Sequence, residues 1–133
     1  MLLELVGNNS GEYSSYNDLV ILNTPEWDLN EIFDAYLECA LWASELGGYS
    51  IHDFKSEVRD ELYRGVLSFV TDNNTDLILT SLDAVQIGHS LWLTQNHRGA
   101  GFFDFPMNEV TLKRLTDAAH KLGERHLDIE DLL

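Results

Sequence analysis

The chain has few positive charges. Its 133 residues carry eight Lys and Arg against 23 Asp and Glu, a formal net charge of −15. From Met1 to Asp53 there are ten acids, and the first basic side chain is Lys55; a second stretch without Lys or Arg runs from Gly65 to His97. That surface repels nucleic acid, whose capture rests on neutralising phosphates, and it suits a basic partner. There is one cysteine, Cys39, so no internal disulfide forms, which fits a reducing, cytoplasmic setting. Cys39 falls in a helical pattern and reads as a buried structural thiol. No run of about 18 apolar residues exists to span a membrane. The opening "MLLELVGNNSGEY" lacks the basic start and apolar length of a signal peptide. Against these shortages, 44% hydrophobic and 11% aromatic residues are enough for one globular core.

One domain over 1–133 is expected, with an acidic strand-and-loop extension over 1–28 and a core over 29–133. "MLLELV" and "DLVILN" read as short apolar strands. "NTPEWDLNEIFDAYLECALWASELGG" predicts a helix, with Thr24 as cap, Pro25 at the first helical position and Gly47-Gly48 at its end. At 100° per residue Ile32, Phe33, Tyr36, Leu37, Ala40 and Ala43 share one side, while Glu31, Asp34, Glu38 and Glu45 share the other with Trp27 and Trp42. Ser50 and Asp53 have capping-box spacing, with Tyr49 and Phe54 placed as a staple. Ser56 is expected to cap a second helix start, and the helix runs to about Val70. A further helix is expected over Asp76–His89, with strand an alternative at Leu77–Leu79. "LWLTQNHRGAGFFDF" predicts a β-hairpin over 91–105 with glycines at its turn. Asn108 caps a last helix that Gly123 stops, and "RHLDIED" reads as a final strand. The fold class expected is α+β: three to four helices on a small, mostly antiparallel sheet that includes the 91–105 hairpin.

Candidate chemistry is thin. Asp72, Asn74, Asp76 and Asp83 occupy positions 1, 3, 5 and 12 of a calcium-loop template, but Leu77 replaces the glycine the sharp turn needs and Asp83 the bidentate Glu. His120, Glu124 and His126 have the composition of a metal site without its spacing, since Gly123 ends the helix between them. No metal and no cofactor is therefore expected. His89, His97 and Asp104 would serve a small hydrolase or nuclease, but no serine or cysteine has an evident partner, so no catalytic residue is assigned. The "RGAG" segment leads into phenylalanines where a phosphate loop would open a helix. Asn96, His97 and Arg98 then stand at the expected hairpin tip as a contact point.

"YLECALW", "YSIHDF" and "GHSLWLTQNHRGAGFFD" resemble segments of a family of small uncharacterised tailed-phage proteins, over about residues 30 to 122. The family's last motif runs roughly G-H-x-F-W-L-T-R-N-x-H-G-A-G-F-W-D. Here Leu91, Gln95 and Phe103 depart from it, and His97-Arg98 replace its x-His pair. The resemblance implies phage or prophage origin and carries no catalytic residue across. With the charge, it leads to an acidic protein that inhibits a host or defence nucleic-acid-binding protein. Its contact face would be Glu26, Asp28, Glu31, Asp34, Glu38, Trp42 and Glu45, with nucleic-acid mimicry as the mode. The alternatives are an accessory module binding through the hairpin without mimicry, and the small hydrolase or nuclease.

Overall fold

The computed structural model describes residues 27–133. The two strands expected near the N-terminus, and Thr24, Pro25 and Glu26, lie outside that range. Among the described residues five α-helices follow one another: α1 Leu29–Ala43, α2 Ser56–Asp72, α3 Asn74–Thr80, α4 Ala84–Gln95 and α5 Glu109–Lys121. Single 3-10 turns at Ile51–Asp53, Phe102–Asp104 and Ile129–Asp131 join or follow them. Among the described residues there is no strand and no sheet, only an isolated antiparallel bridge between Phe54 and Leu132. The expected α+β class is thereby corrected to all-α.

α1 is capped by Asp28, four residues after the expected Thr24, its side chain accepting from Asn30 N–H at 2.9 Å. It is the central helix. Beyond the expected apolar side, Ala35, Cys39 and Leu41 are also buried. At 100° per residue only a wedge of about 120° is left to solvent.

The other helix of the core pair is α4. The continuous helix expected over 76–89 is broken at Ser81, whose φ of 63° ends α3. Asp83 and Gln86 then form a reciprocal capping box that starts α4. From that start Ala84, Ile87, Gly88, Leu91, Trp92 and Gln95 recur at helical spacing and are all buried. This unbroken period, anchored by a cap, overrides the strand preference of Leu91–Thr94, so the first arm of the expected hairpin is the end of α4. A Cβ on Gly88 would lie 2.4 Å from the Ile32 carbonyl oxygen and 2.8 Å from both Ala35 Cβ and Tyr36 N, so α4 crosses α1 backbone against backbone.

The second arm is equally unlike a strand. Past Asn96 the chain turns through His97 (φ 53°), Gly99 (φ 76°) and Gly101 (φ 144°) and folds back onto the end of α4. There Phe102 N–H donates to Thr94 Oγ1 at 3.1 Å, the oxygen that a Cβ on Gly101 would meet at 2.1 Å. Phe102 is driven into the core against Phe69, rings stacked at 5.9 Å, and Asp104 closes the turn by accepting from Gly101 N–H at 2.9 Å. The glycine-rich motif is a helix-terminating fold-back rather than a hairpin turn.

Other local signals hold. Ser50 and Asp53 form their capping box, although it caps one 3-10 turn; α2 starts afresh at Ser56, which is its first residue and not the cap expected, Lys55 holding that position without a side-chain bond. Asn108 caps α5 by accepting from Val110 N–H at 2.8 Å, and Gly123 with φ 82° follows its end. "RHLDIED" is not a strand. Residues 122–133 form a strap that buries Leu127 and Leu132 and hydrogen-bonds Asp53 and Lys55.

Candidate partner-binding face

Two sets of charges stand out on this framework. The first is the outward wedge of α1. Glu31 and Glu38 are exposed and Asp34 is half-buried. Trp42, on the same wedge, is 73% exposed, an unusual placement for the largest apolar side chain. Asp28 caps the start of the helix. Glu45 stands exposed just past its end, at φ 62°, and does not belong to the helix. Among the described residues, none of these five acids forms an ion pair with Lys, Arg or His. Glu26 lies outside the described residues.

A hollow flanks each end of the wedge. Near the start, Trp27, Glu31, Leu82 and Val85 line one of about 390 Å³. Trp27 is half-buried there, its indole N–H donating to the Leu82 carbonyl at 3.3 Å. Near the end, Glu38, Leu41, Trp42, Tyr49, Ile51 and His52 line a second of about 420 Å³. The involvement of Tyr49 and His52 was not read from sequence; the Gly47-Gly48 pair, which brings the chain round the end of α1, was its only signal.

The second set, on the strap and α2, is paired. Arg125 donates from Nε to Glu61 at 2.8 Å and from its terminal nitrogen to Asp131 at 3.2 Å, while its own N–H reaches Asn96 Oδ1 at 2.7 Å. Behind it, Tyr36 donates to Gln95 Oε1 at 2.6 Å, and Gln95 donates to the Gly123 carbonyl at 2.9 Å. The Glu61 carboxylate holds the Arg125 guanidinium charged more firmly than usual, with Asp131 assisting against partial burial. Partial burial works against the Asp131 carboxylate, but the Asp128 N–H and Arg125 outweigh it and bring its pKa below the ordinary value. Burial pushes the Tyr36 phenol well up, opposed in part by its bond to Gln95. These groups satisfy one another and tie the strap to α1, α2 and α4. The buried Trp92 indole N–H has no hydrogen-bond partner among the described residues; its ring stands edge-on to Tyr36 at 5.4 Å.

The expected hairpin-tip residues belong to this paired region. Asn96 is half-buried, donating to the Trp92 carbonyl at 3.0 Å while accepting from Arg125. His97 stacks on His120 at 4.1 Å and pairs with Glu124 at 3.7 Å. Arg98 is exposed. No hydrogen bond joins His89, His97 and Asp104, and Asp104 is occupied in its own turn. The four residues of the calcium template are split among separate tasks: Asp72 ends α2, Asn74 opens α3, Asp76 pairs with Arg114 at 3.2 Å, and Asp83 caps α4. Among the described residues no three His, Cys, Asp or Glu side chains converge on a metal position. Cys39 is buried against the His89 carbonyl, and burial raises its thiol pKa to about 11 despite the nearby charge of Arg98, which leaves little thiolate at neutral pH. No described helix is long and apolar enough to cross a membrane.

Compared with family models, curated proteins and solved structures, the chain matches none.

Proposed function

We propose that this chain is an acidic protein-binding module that sets the outward wedge of α1 against the basic surface of a nucleic-acid-binding protein and so inhibits it. The observation that carries this reading is the content of the wedge. On a helix buried on all other sides, it holds Glu31, Asp34 and Glu38 without a pairing cation among the described residues, beside a Trp42 that is 73% exposed. Glu31, Asp34 and Glu38 follow one another at helical i, i+3, i+7 spacing, and like charges so placed repel. A basic surface relieves that repulsion, and Trp is a favoured anchor at protein interfaces.

Over its 15 residues α1 is about 22 Å long, a length on which one DNA strand carries roughly six phosphates. Asp28, Glu31, Asp34 and Glu38 thus match nucleic acid in sign and at lower density. Trp42 adds apolar contact that a phosphate backbone lacks, so mimicry is partial in this reading. The resemblance to tailed-phage proteins would make the partner a host or defence protein met in the cytoplasm. The competing module that binds through a hairpin loses its scaffold, since residues 91–105 form no hairpin.

The test is affinity capture from bacterial lysate at about 0.1 M and 1 M salt, where the screening length falls from about 10 Å to about 3 Å. A nucleic-acid-binding protein should be retained at low salt, released at high salt and displaced by competing DNA. The Glu31→Lys/Asp34→Lys/Glu38→Lys variant should retain none. Equal capture by that variant, or no basic protein captured at all, would sink the proposal.

A further inference from the structure

We infer that the hollow at the C-terminal end of α1 receives one cationic side chain, a lysine or arginine, from the protein partner. The inference rests on the acidic-module reading and adds to it the chemistry of a single contact. Four features of the hollow favour a cation. Trp42 and Tyr49, exposed by 73% and 39%, both line it, and aromatic faces attract ammonium and guanidinium groups. The exposed Glu38 supplies a carboxylate on the same wall. The last turn of α1 carries no basic residue, so a cation in the hollow meets the negative end of the helix dipole, although the Ala40, Trp42 and Leu41 carbonyls already accept from Ser44, Glu45 and Leu46 N–H. No Lys or Arg lines the space, while Leu41 and Ile51 offer apolar surface for a methylene stem. A volume of about 420 Å³ accommodates one extended long side chain. A phosphate or carboxylate ligand is opposed by the charge of Glu38 and by the dipole alike.

The experiment is a titration of the ¹⁵N-labelled protein with capped tripeptides Gly-Arg-Gly and Gly-Lys-Gly, against the neutral isostere Gly-citrulline-Gly. The Trp42 indole and the Gly47 and Tyr49 amide signals should shift saturably with the arginine and lysine peptides, with Kd on the order of 1 mM, and stay in place with citrulline. Trp42→Ala should remove the shifts at Gly47 and Tyr49. Glu38→Gln should weaken binding up to about fivefold, and Glu109→Gln, on α5, should leave it unchanged. Trp42 and Glu38 are exposed, and the unchanged remainder of each variant's spectrum verifies its fold. If the citrulline peptide binds as well as arginine, or the shifts survive Trp42→Ala, the cation receptor is wrong. Peptide binding without partner capture would uphold the hollow and overturn the inhibitor reading; capture without peptide binding would do the reverse.

Discussion

The strap over residues 122–133 and the outward wedge of α1 are both rich in acids, yet the molecule treats them in opposite ways. On the strap, Asp131 and its neighbour Glu61 converge on Arg125, whose side chain is only 22% exposed. On α1, the carboxylates stand in a row, and none pairs with a cation among the described residues. Charges that hold a fold together are paired and partly shielded from water. Charges in solvent without partners contribute little to stability and remain open to something else.

Removing the hub of the strap should have the largest effect. Arg125→Met leaves Glu61 and Asp131 without their cation and loosens the cover over Leu127 and Leu132, and should lower unfolding free energy by about 2 kcal/mol in urea titrations near pH 7. A change below about 0.5 kcal/mol would show the strap to be held by its leucines and its remaining hydrogen bonds without the guanidinium.

Acid should produce a smaller loss through the same contact. Asp131 has its pKa depressed in the folded state, so its stabilising contribution is present above the unfolded value of about 3.9 and is lost as pH falls through the folded value. Urea midpoints of the native protein should therefore drop below about pH 4. The gap between native protein and Arg125→Met should narrow over that same window, and a gap independent of pH would contradict the assignment.

The smallest effect belongs to the wedge. Glu31→Gln/Asp34→Asn/Glu45→Gln should change stability by no more than about 0.5 kcal/mol, with any change toward greater stability as self-repulsion is relieved. A loss of about 2 kcal/mol on urea unfolding would mean that these acids serve the fold, and would remove the contrast.

Much of the helical framework is legible from local chemistry. The capping box at Ser50 and Asp53, the Asn108 cap and the Gly123 stop each rest on contacts within a few residues, and each stands in the structure. The class was misread at α4, where Leu91, Trp92 and Thr94 favour strand locally. The decisive facts were the Asp83–Gln86 box and the run of buried positions from Ala84 to Gln95, a longer-range pattern than the propensities it overrode. The glycines after Asn96 were seen as positive-φ positions, which they are; what sequence could not give was that Thr94 Oγ1 would hold Phe102 N–H and turn the chain inward. Glu31, Asp34, Glu38 and Trp42 lie on the one side of α1 that angular spacing gave them, whereas Trp27 and Glu45, placed there too, fall outside the helix, where its period does not apply. Tyr49 and His52 were missed because their approach depends on a loop path rather than on a period.

The contact at Gly88 bears on recognition. Because a missing side chain lets α4 lie against the backbone of Ile32 and Tyr36, α1 has no cushion of flexible side chains there on which to shift. The Cα positions that carry the carboxylates are therefore held at fixed intervals, while the exposed carboxylate rotamers stay free to adapt. A residue with nothing to show at the surface sets how sharply the surface is defined.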